Sequence, residues 1–100
     1  MDQIVIFFEQ TTSTIDPTIL KNIQFYPNPT SGLLNVTDNN TESAETTIEA
    51  YTPHGQLVKS WNFDRLQTAQ LDMQELTNSV YILRIVRAEK VGFQKVMLNK

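Results

Sequence analysis

Short apolar runs separated by turn residues make up the chain from about Leu20 to its last residue. Within most runs apolar and polar positions alternate, and this period of two residues is typical of half-buried β-strands. No segment keeps the period of an α-helix, and residues 73–76 allow at most one helical turn. The predicted strands cover residues 23–26, 33–37, 47–51, 57–63, 69–73, 80–86 and 93–98. About seven short strands, with turn signals roughly 8–12 residues apart, predict an all-β, antiparallel β-sandwich.

The turns and the central strand are predicted by residue type. Residues 38–43 are polar and are expected to form an exposed turn. Pro53, His54 and Gly55 predict a tight turn in which Gly55 adopts a positive φ. Residues 80–86 form the most apolar run and are rich in β-branched side chains, so we expect this strand at the centre of a sheet.

A rigid corner is predicted at residues 26–32, whose sequence is Tyr-Pro-Asn-Pro-Thr-Ser-Gly. Pro27 and Pro29 have no backbone N–H, and each fixes its φ at about −65°. Each proline also drives the residue before it toward extended geometry. Asn28 is suited to cap a turn with its side chain, and Gly32 tolerates positive φ. This stretch, the proline corner, is therefore expected to end one strand and start the next.

The composition favours one small domain that does not bind nucleic acid. One hundred residues, 40% of them hydrophobic, fit a single domain with a modest core. The net charge is −3 and the basic residues are not clustered, whereas phosphate binding requires a basic face. The chain has no cysteine, which excludes disulfides and thiolate zinc sites.

Residues 1–20 are predicted to be a linker or the end of an upstream segment, ahead of a domain at residues 21–100. Residues 3–8 fit a short strand, and the polar residues after them fit a flexible linker. The apolar part of this segment is too short to span a bilayer, which takes about 20 residues. It also lacks the basic flank and the cleavage site of a secretory signal. These features favour the interpretation that the chain is a fragment of a longer protein.

No constellation of residues in the sequence fits catalysis, a cofactor or a metal ion. His54 is the single histidine and lies in a turn, where a solvated side chain is expected. A metal site or a Ser-His-Asp triad would need partners that the sequence does not place near it. The carboxylates, Asp38 and Glu49 among them, are spread over turns and strand exteriors, where we expect water around them. We therefore predict no catalytic, cofactor-binding or metal-binding residues.

Four aromatic residues have two interpretations. They either form a platform on which a sugar stacks, or they pack in the core. The small size of the domain favours the core. The four residues are Tyr51, Trp61, Phe63 and Tyr81.

Four ordered stretches of the sequence resemble the C-terminal sorting domain of the type IX secretion system (Por secretion system) of Bacteroidetes. They are residues 26–36, residues 48–58, residues 71–76 with residues 80–85, and residues 95–100. The resemblance covers about residues 22–100. Its structural signature is carried by Tyr26, Pro27, Asn28, Pro29, Gly32, Gly55 and Tyr81.

One position departs from the family pattern. The family usually has a glycine two residues before the tyrosine of the third stretch, and this position is Ser79 here. A positive φ is therefore expected at Asn78 instead, since asparagine tolerates this conformation better than most residues.

The resemblance implies an immunoglobulin-like sandwich that is not an enzyme. It implies a fused N-terminal cargo protein, which the type IX machinery moves from the periplasm across the outer membrane to be secreted or kept at the cell surface. In this family a sortase-like cysteine protease typically removes the domain and attaches the cargo to surface lipopolysaccharide. The cut is expected in the segment around residues 9–16. No cofactor, nucleic acid or transmembrane segment is implied.

The end of the chain is the predicted recognition element. This terminal segment consists of Lys95, Val96, Met97, Leu98, Asn99 and Lys100. Alternation places Val96 and Leu98 on one face and Lys95, Met97 and Asn99 on the other. A free end and an exposed edge would let a receptor add a strand. The alternative is that the terminal segment is an ordinary edge strand whose lysines prevent aggregation. The proline corner also has two interpretations, since it is either bound by the secretion machinery or purely structural.

Two other classes of function compete with sorting. A β-sandwich also serves as a carbohydrate- or protein-binding accessory module of a secreted enzyme. A small hydrolase has little support, because the sequence contains no catalytic constellation. The position of the domain in its precursor separates sorting from the accessory module. A sorting domain must be the last domain of its precursor, whereas an accessory module need not be.

Overall fold

The computed structural model of the protein describes residues 14–15, 21–39, 45–88 and 90–100, and β-strands are the only regular secondary structure there. The strands are β1 (Thr14–Ile15), β2 (Ile23–Tyr26), β3 (Leu33–Asp38), β4 (Thr46–Tyr51), β5 (Leu57–Phe63), β6 (Thr68–Asp72), β7 (Ser79–Arg87) and β8 (Lys90–Leu98). The predicted all-β fold is confirmed, and each of the seven predicted strands is present. β1 lies within the segment predicted to be a linker, and the strand predicted at residues 3–8 lies outside the described residues.

Two sheets form the predicted β-sandwich. The larger sheet has the strand order β1-β8-β7-β4-β5, and the smaller sheet has the order β2-β3-β6. Neighbouring strands are antiparallel except for β1, which pairs in parallel with the first two residues of β8. β7 lies between β8 and β4, which confirms the central position predicted from its apolar composition.

One hydrophobic core fills the space between the sheets. In the larger sheet Ile48 lies opposite Ile85 and Ala50 lies opposite Leu83, so the apolar positions of β4 and β7 share one face. This sharing follows from the period of two residues in both strands. The core consists of Ile23, Leu34, Val36, Ile48, Ala50, Leu66, Leu71, Met73, Tyr81, Leu83, Ile85, Val96 and Leu98.

A buried ion pair joins the C-terminal end of β3 to the larger sheet. Asp38, the last residue of β3, accepts a hydrogen bond from Nη2 of Arg87 on β7. Nε of Arg87 donates a second hydrogen bond to Oγ1 of Thr46, at 3.0 Å. The prediction that Asp38 lies in an exposed turn is wrong, since only 1% of its side chain is exposed. β3 runs one residue further than its apolar pattern indicates, and this extra residue faces inward.

Substitutions at this ion pair are expected to destabilise the fold. Removal of one partner leaves a buried charge without compensation, so Arg87→Met or Asp38→Asn should lower the free energy of unfolding by about 3–5 kcal/mol. The double variant should lose less than the sum of the two single losses, because both charges are then gone. Urea denaturation, followed by the fluorescence of Trp61, measures the three values.

Lys59→Met is the matched control for Arg87→Met. Nζ of Lys59 lies 3.5 Å from Glu75, whose side chain is 83% exposed. An exposed pair of this kind contributes at most about 1 kcal/mol. Equal losses for Arg87→Met and Lys59→Met would contradict a structural role of the buried pair.

Candidate functional site

The proline corner lies against the edge of β8 that faces away from β7. Thr30 forms a parallel bridge with Leu98. The backbone N–H of Thr30 donates to the carbonyl of Met97 at 2.9 Å, and the N–H of Asn99 donates to the carbonyl of Thr30 at 2.8 Å. Thr30 is 1% exposed. The proline corner therefore behaves as a short added strand along the outer edge of β8.

The side chain of Asn28 extends this contact by two residues. Its Oδ1 accepts a hydrogen bond from the N–H of Met97 at 3.1 Å, and its Nδ2 donates to the carbonyl of Lys95 at 3.1 Å. A carboxamide carries a donor and an acceptor, as a peptide unit does, and so it replaces the peptide of a neighbouring strand. The expectation that Asn28 caps its own turn is wrong, because its amide binds a strand almost 70 residues away in the chain.

The conformation of the corner is held by Thr30 and Gly32. Oγ1 of Thr30 donates to the carbonyl of Leu33 at 2.9 Å and accepts from the N–H of Gly32 at 3.2 Å. The φ of Gly32 is 143°, which confirms the predicted positive φ. A Cβ at Gly32 would lie 2.8 Å from Cγ of Gln74, so this residue is constrained by space as well as by its backbone. The carbonyl of Gly32 accepts from the N–H of Met73 at 2.7 Å.

The terminal segment has the two predicted faces but not the predicted open edge. Val96 and Leu98 are buried, whereas Lys95, Met97 and Asn99 are exposed, with Met97 at 44%. Asn28 and Thr30 occupy the outer edge over residues 95–99, which was expected to be exposed.

The last residue of the chain, expected to be a free end, is also held. The N–H of Lys100 donates to Oδ1 of Asn78 at 2.9 Å. Nζ of Lys100 donates to the carbonyl of Gln74 at 3.1 Å. The proline corner and the terminal segment therefore form one ordered surface.

Gly55 and Tyr81, the remaining signature residues, lie in a turn and in the core, where Tyr81 is opposite Val96 of the terminal segment. Gly55 has the predicted positive φ, 93°, in the turn between β4 and β5. Tyr81 is 3% exposed, and its hydroxyl donates to the carbonyl of Thr77 at 2.6 Å. The positive φ expected at Asn78 is not present, because Ala88 is the only described non-glycine residue with positive φ.

The aromatic residues do not form a platform. Tyr81 belongs to the core, and Trp61 and Phe63 are half-buried and pack against it, as the core interpretation predicts. Tyr51 alternates with the buried residues of β4 and therefore lies on the opposite face of the larger sheet.

Tyr51 belongs to a polar network on that outer face. Its hydroxyl donates to Oε1 of Glu49 at 3.0 Å, and Nη1 of Arg84 donates to the same oxygen at 2.7 Å. Burial raises the pKa of Tyr51, and the negative charge of Glu49 adds to this effect. The phenol therefore stays protonated at neutral pH and remains a donor to Glu49. Glu49 is bound by two side chains here, whereas the sequence predicted a solvated carboxylate.

The described residues contain no cluster of three or more side chains that could hold a metal ion. They also contain no helix long and apolar enough to cross a membrane. His54 is exposed in the turn before Gly55, where the sequence places it.

Residues 24–99 match a protein-family profile described as the secretion system C-terminal sorting domain. The matched range begins in β2 and ends one residue after β8, so it contains the proline corner and all but one residue of the terminal segment. The chain belongs to this family. The resemblance to the type IX sorting domain is thereby confirmed, and membership implies secretion across the outer membrane. None of the curated proteins compared with this sorting domain matches it.

Asn28→Ala should open the edge of β8. The loss of two hydrogen bonds, each worth about 0.5–1.5 kcal/mol net, should lower the free energy of unfolding by about 1–3 kcal/mol. Amide hydrogen exchange at Met97 should accelerate more than exchange at Ile48 in the sheet centre. Exchange at Met97 should be slower in Asn28→Asp than in Asn28→Ala, since the carboxylate still accepts from Met97, although its second oxygen faces the carbonyl of Lys95 without a proton to donate.

Asn22→Ala is the control for this measurement. Asn22 is an exposed asparagine whose side chain makes no hydrogen bond with the described residues. Its substitution should leave exchange at Met97 unchanged. Unchanged exchange at Met97 in Asn28→Ala as well would show that Asn28 does not protect the edge.

Proposed function

We propose that this sorting domain directs a fused cargo protein across the outer membrane to the cell surface, and that the secretion machinery binds the proline corner and the terminal segment as one surface. The observation that carries the proposal is the set of hydrogen bonds from Asn28 and Thr30 to residues 95–99. These bonds join the first and the last of the four family stretches. A receptor that contacts one of them therefore also meets the other.

The mode of binding follows from the state of the β8 edge. Strand addition at residues 95–99 would require the receptor to displace the amide of Asn28 and the backbone of Thr30. The outward side chains are already accessible, with Met97 44% exposed and Lys95 and Asn99 exposed beside it. Recognition of these side chains on the assembled surface needs no rearrangement, and we favour it for that reason.

In this role the domain is a targeting signal and carries out no catalytic step. A sortase-like cysteine protease separates it from the cargo, within residues 9–16. We place the cut before Thr14, because Thr14 and Ile15 pair with Lys90 and Val91. A protease binds its substrate as an extended strand, so a peptide that is already paired with β8 is a poor substrate.

A reporter fusion tests the sorting role. The full chain, placed behind a signal peptide and a reporter protein, should bring the reporter to the surface of a type IX-competent bacterium. The same fusion should stay in the periplasm of a strain that lacks the type IX machinery. Surface protease accessibility of the reporter measures both. Retention of the intact fusion in the periplasm of the competent strain would contradict the proposal.

Met97→Glu tests whether the outward face of the terminal segment is bound. The substitution changes an exposed side chain and leaves the backbone bonds of β8 in place, so folding should persist while surface delivery falls severalfold. Leu57→Glu is the matched control, because Leu57 is similarly exposed, at 49%, on β5 at the opposite edge of the sheet. Equal delivery of the two variants would show that the terminal segment is not part of the surface that the machinery binds.

Asn28→Ala in the same fusion separates the two modes of binding. If the machinery binds the assembled surface, loss of the two hydrogen bonds from Asn28 to β8 should reduce delivery. If the machinery adds a strand to β8, the open edge should leave delivery unchanged or increase it. Circular dichroism of the purified variants verifies that each one is folded.

A further inference from the structure

An open groove lies on the outer face of the smaller sheet, away from the hydrophobic core. Its volume is about 620 Å³, which is in the range of sites for small ligands. The register places Gln24 of β2, Thr37 of β3 and Thr68 of β6 side by side across this face. Six residues supply most of its polar and aromatic lining: Gln24, Tyr26, Thr37, Arg65, Gln67 and Thr68. We call it the amide groove.

The amide groove concentrates polar groups that the described part of the protein leaves unused. The side chains of Gln24, Arg65 and Gln67 make no hydrogen bond or ion pair with the described residues. The next row of the same sheet differs, since Nε2 of Gln70 donates to Oδ1 of Asn35 at 3.2 Å. Donors and acceptors in the groove are therefore available to a ligand.

The charge in the groove comes from one guanidinium. Asp38 also lines it, but its carboxylate is bound by Arg87. Arg84 and Arg87 are buried in ion pairs, whereas Arg65 is exposed and has no ion pair among the described residues. A free guanidinium binds a carboxylate through two parallel hydrogen bonds.

We propose that the amide groove binds a short acidic saccharide of the uronate class. Arg65 would bind the carboxylate, and the amides of Gln24 and Gln67 would bind the ring hydroxyls. Tyr26, which is 45% exposed, would pack its ring against the apolar face of a sugar. This proposal does not depend on the role of the domain in secretion.

Two other classes of ligand fit the groove less well. Nucleic acid needs several cations along one face, but the groove has a single arginine and the chain has a net charge of −3. An extended peptide gains its affinity from main-chain bonds at a sheet edge, but the groove lies on a sheet face. Each uronate unit has one carboxylate beside its hydroxyls, and this matches one guanidinium among neutral amides and hydroxyls.

Binding of trigalacturonate to the full chain tests the proposal, with its methyl ester as the uncharged probe of the same stereochemistry. NMR titration should show saturable shifts of the side-chain amides of Gln24 and Gln67 with the acid and much weaker shifts with the ester. Arg65→Gln should weaken binding about 10- to 100-fold, since a hydrogen bond to a charged group is lost. Arg65→Lys should restore only part of the affinity, because an ammonium cannot make the paired contact.

Lys21→Gln is the control for net charge, since it removes an exposed cation outside the groove. It should bind as the unchanged chain does. Absence of saturable binding at millimolar trigalacturonate would overturn the proposal. So would equal binding of acid and ester, equal affinity in Arg65→Gln, or equal binding of a single-stranded oligonucleotide of the same charge.

Discussion

The hydrogen bonds that Asn28 and Thr30 make to the edge of β8 hold the proline corner against the end of the chain. The last strand of an open sheet presents a row of backbone groups that need partners. Two prolines in the corner have no N–H to offer, and the carboxamide of Asn28 supplies the missing donor and acceptor at residues 95 and 97. The contact protects the edge and positions the outward side chains of the terminal segment.

The same contact has a counterpart at the other end of β3. The proline corner precedes β3 and binds β8, whereas Asp38 ends β3 and binds Arg87 on β7. The central strand of the smaller sheet is therefore fastened to the larger sheet at both ends, by backbone bonds at one and by a buried charge pair at the other. The apolar contacts of the core between these two points have no preferred direction. The hydrogen bonds at one end of β3 and the ion pair at the other therefore favour one relative placement of the two sheets.

Two surfaces of different character result from this arrangement. The corner and the terminal segment make an ordered surface with mixed backbone and side-chain groups, and this is the surface that we propose the secretion machinery binds. The amide groove lies on the face of the smaller sheet, where the outward positions of β2, β3 and β6 carry amides and hydroxyls. Tyr26 contributes to both regions, since it is the last residue of β2 and the first of the corner.

The sequence by itself determined the all-β fold, the approximate span of the seven strands, the faces of the terminal segment and the positive φ at Gly32 and Gly55. These features depend on alternation and on local backbone chemistry, which neighbouring residues decide. Only the tertiary structure showed that Asn28 binds β8, that Asp38 is buried with Arg87, and that Gln24, Arg65 and Gln67 line one groove. Each of these depends on which strands become neighbours after folding. A local sequence pattern does not indicate which residues, tens of positions apart in the chain, come into contact. Asn28 is the clearest example, because the residue types around it predict a turn cap, whereas its partners are set by the packing of the proline corner against the end of the chain.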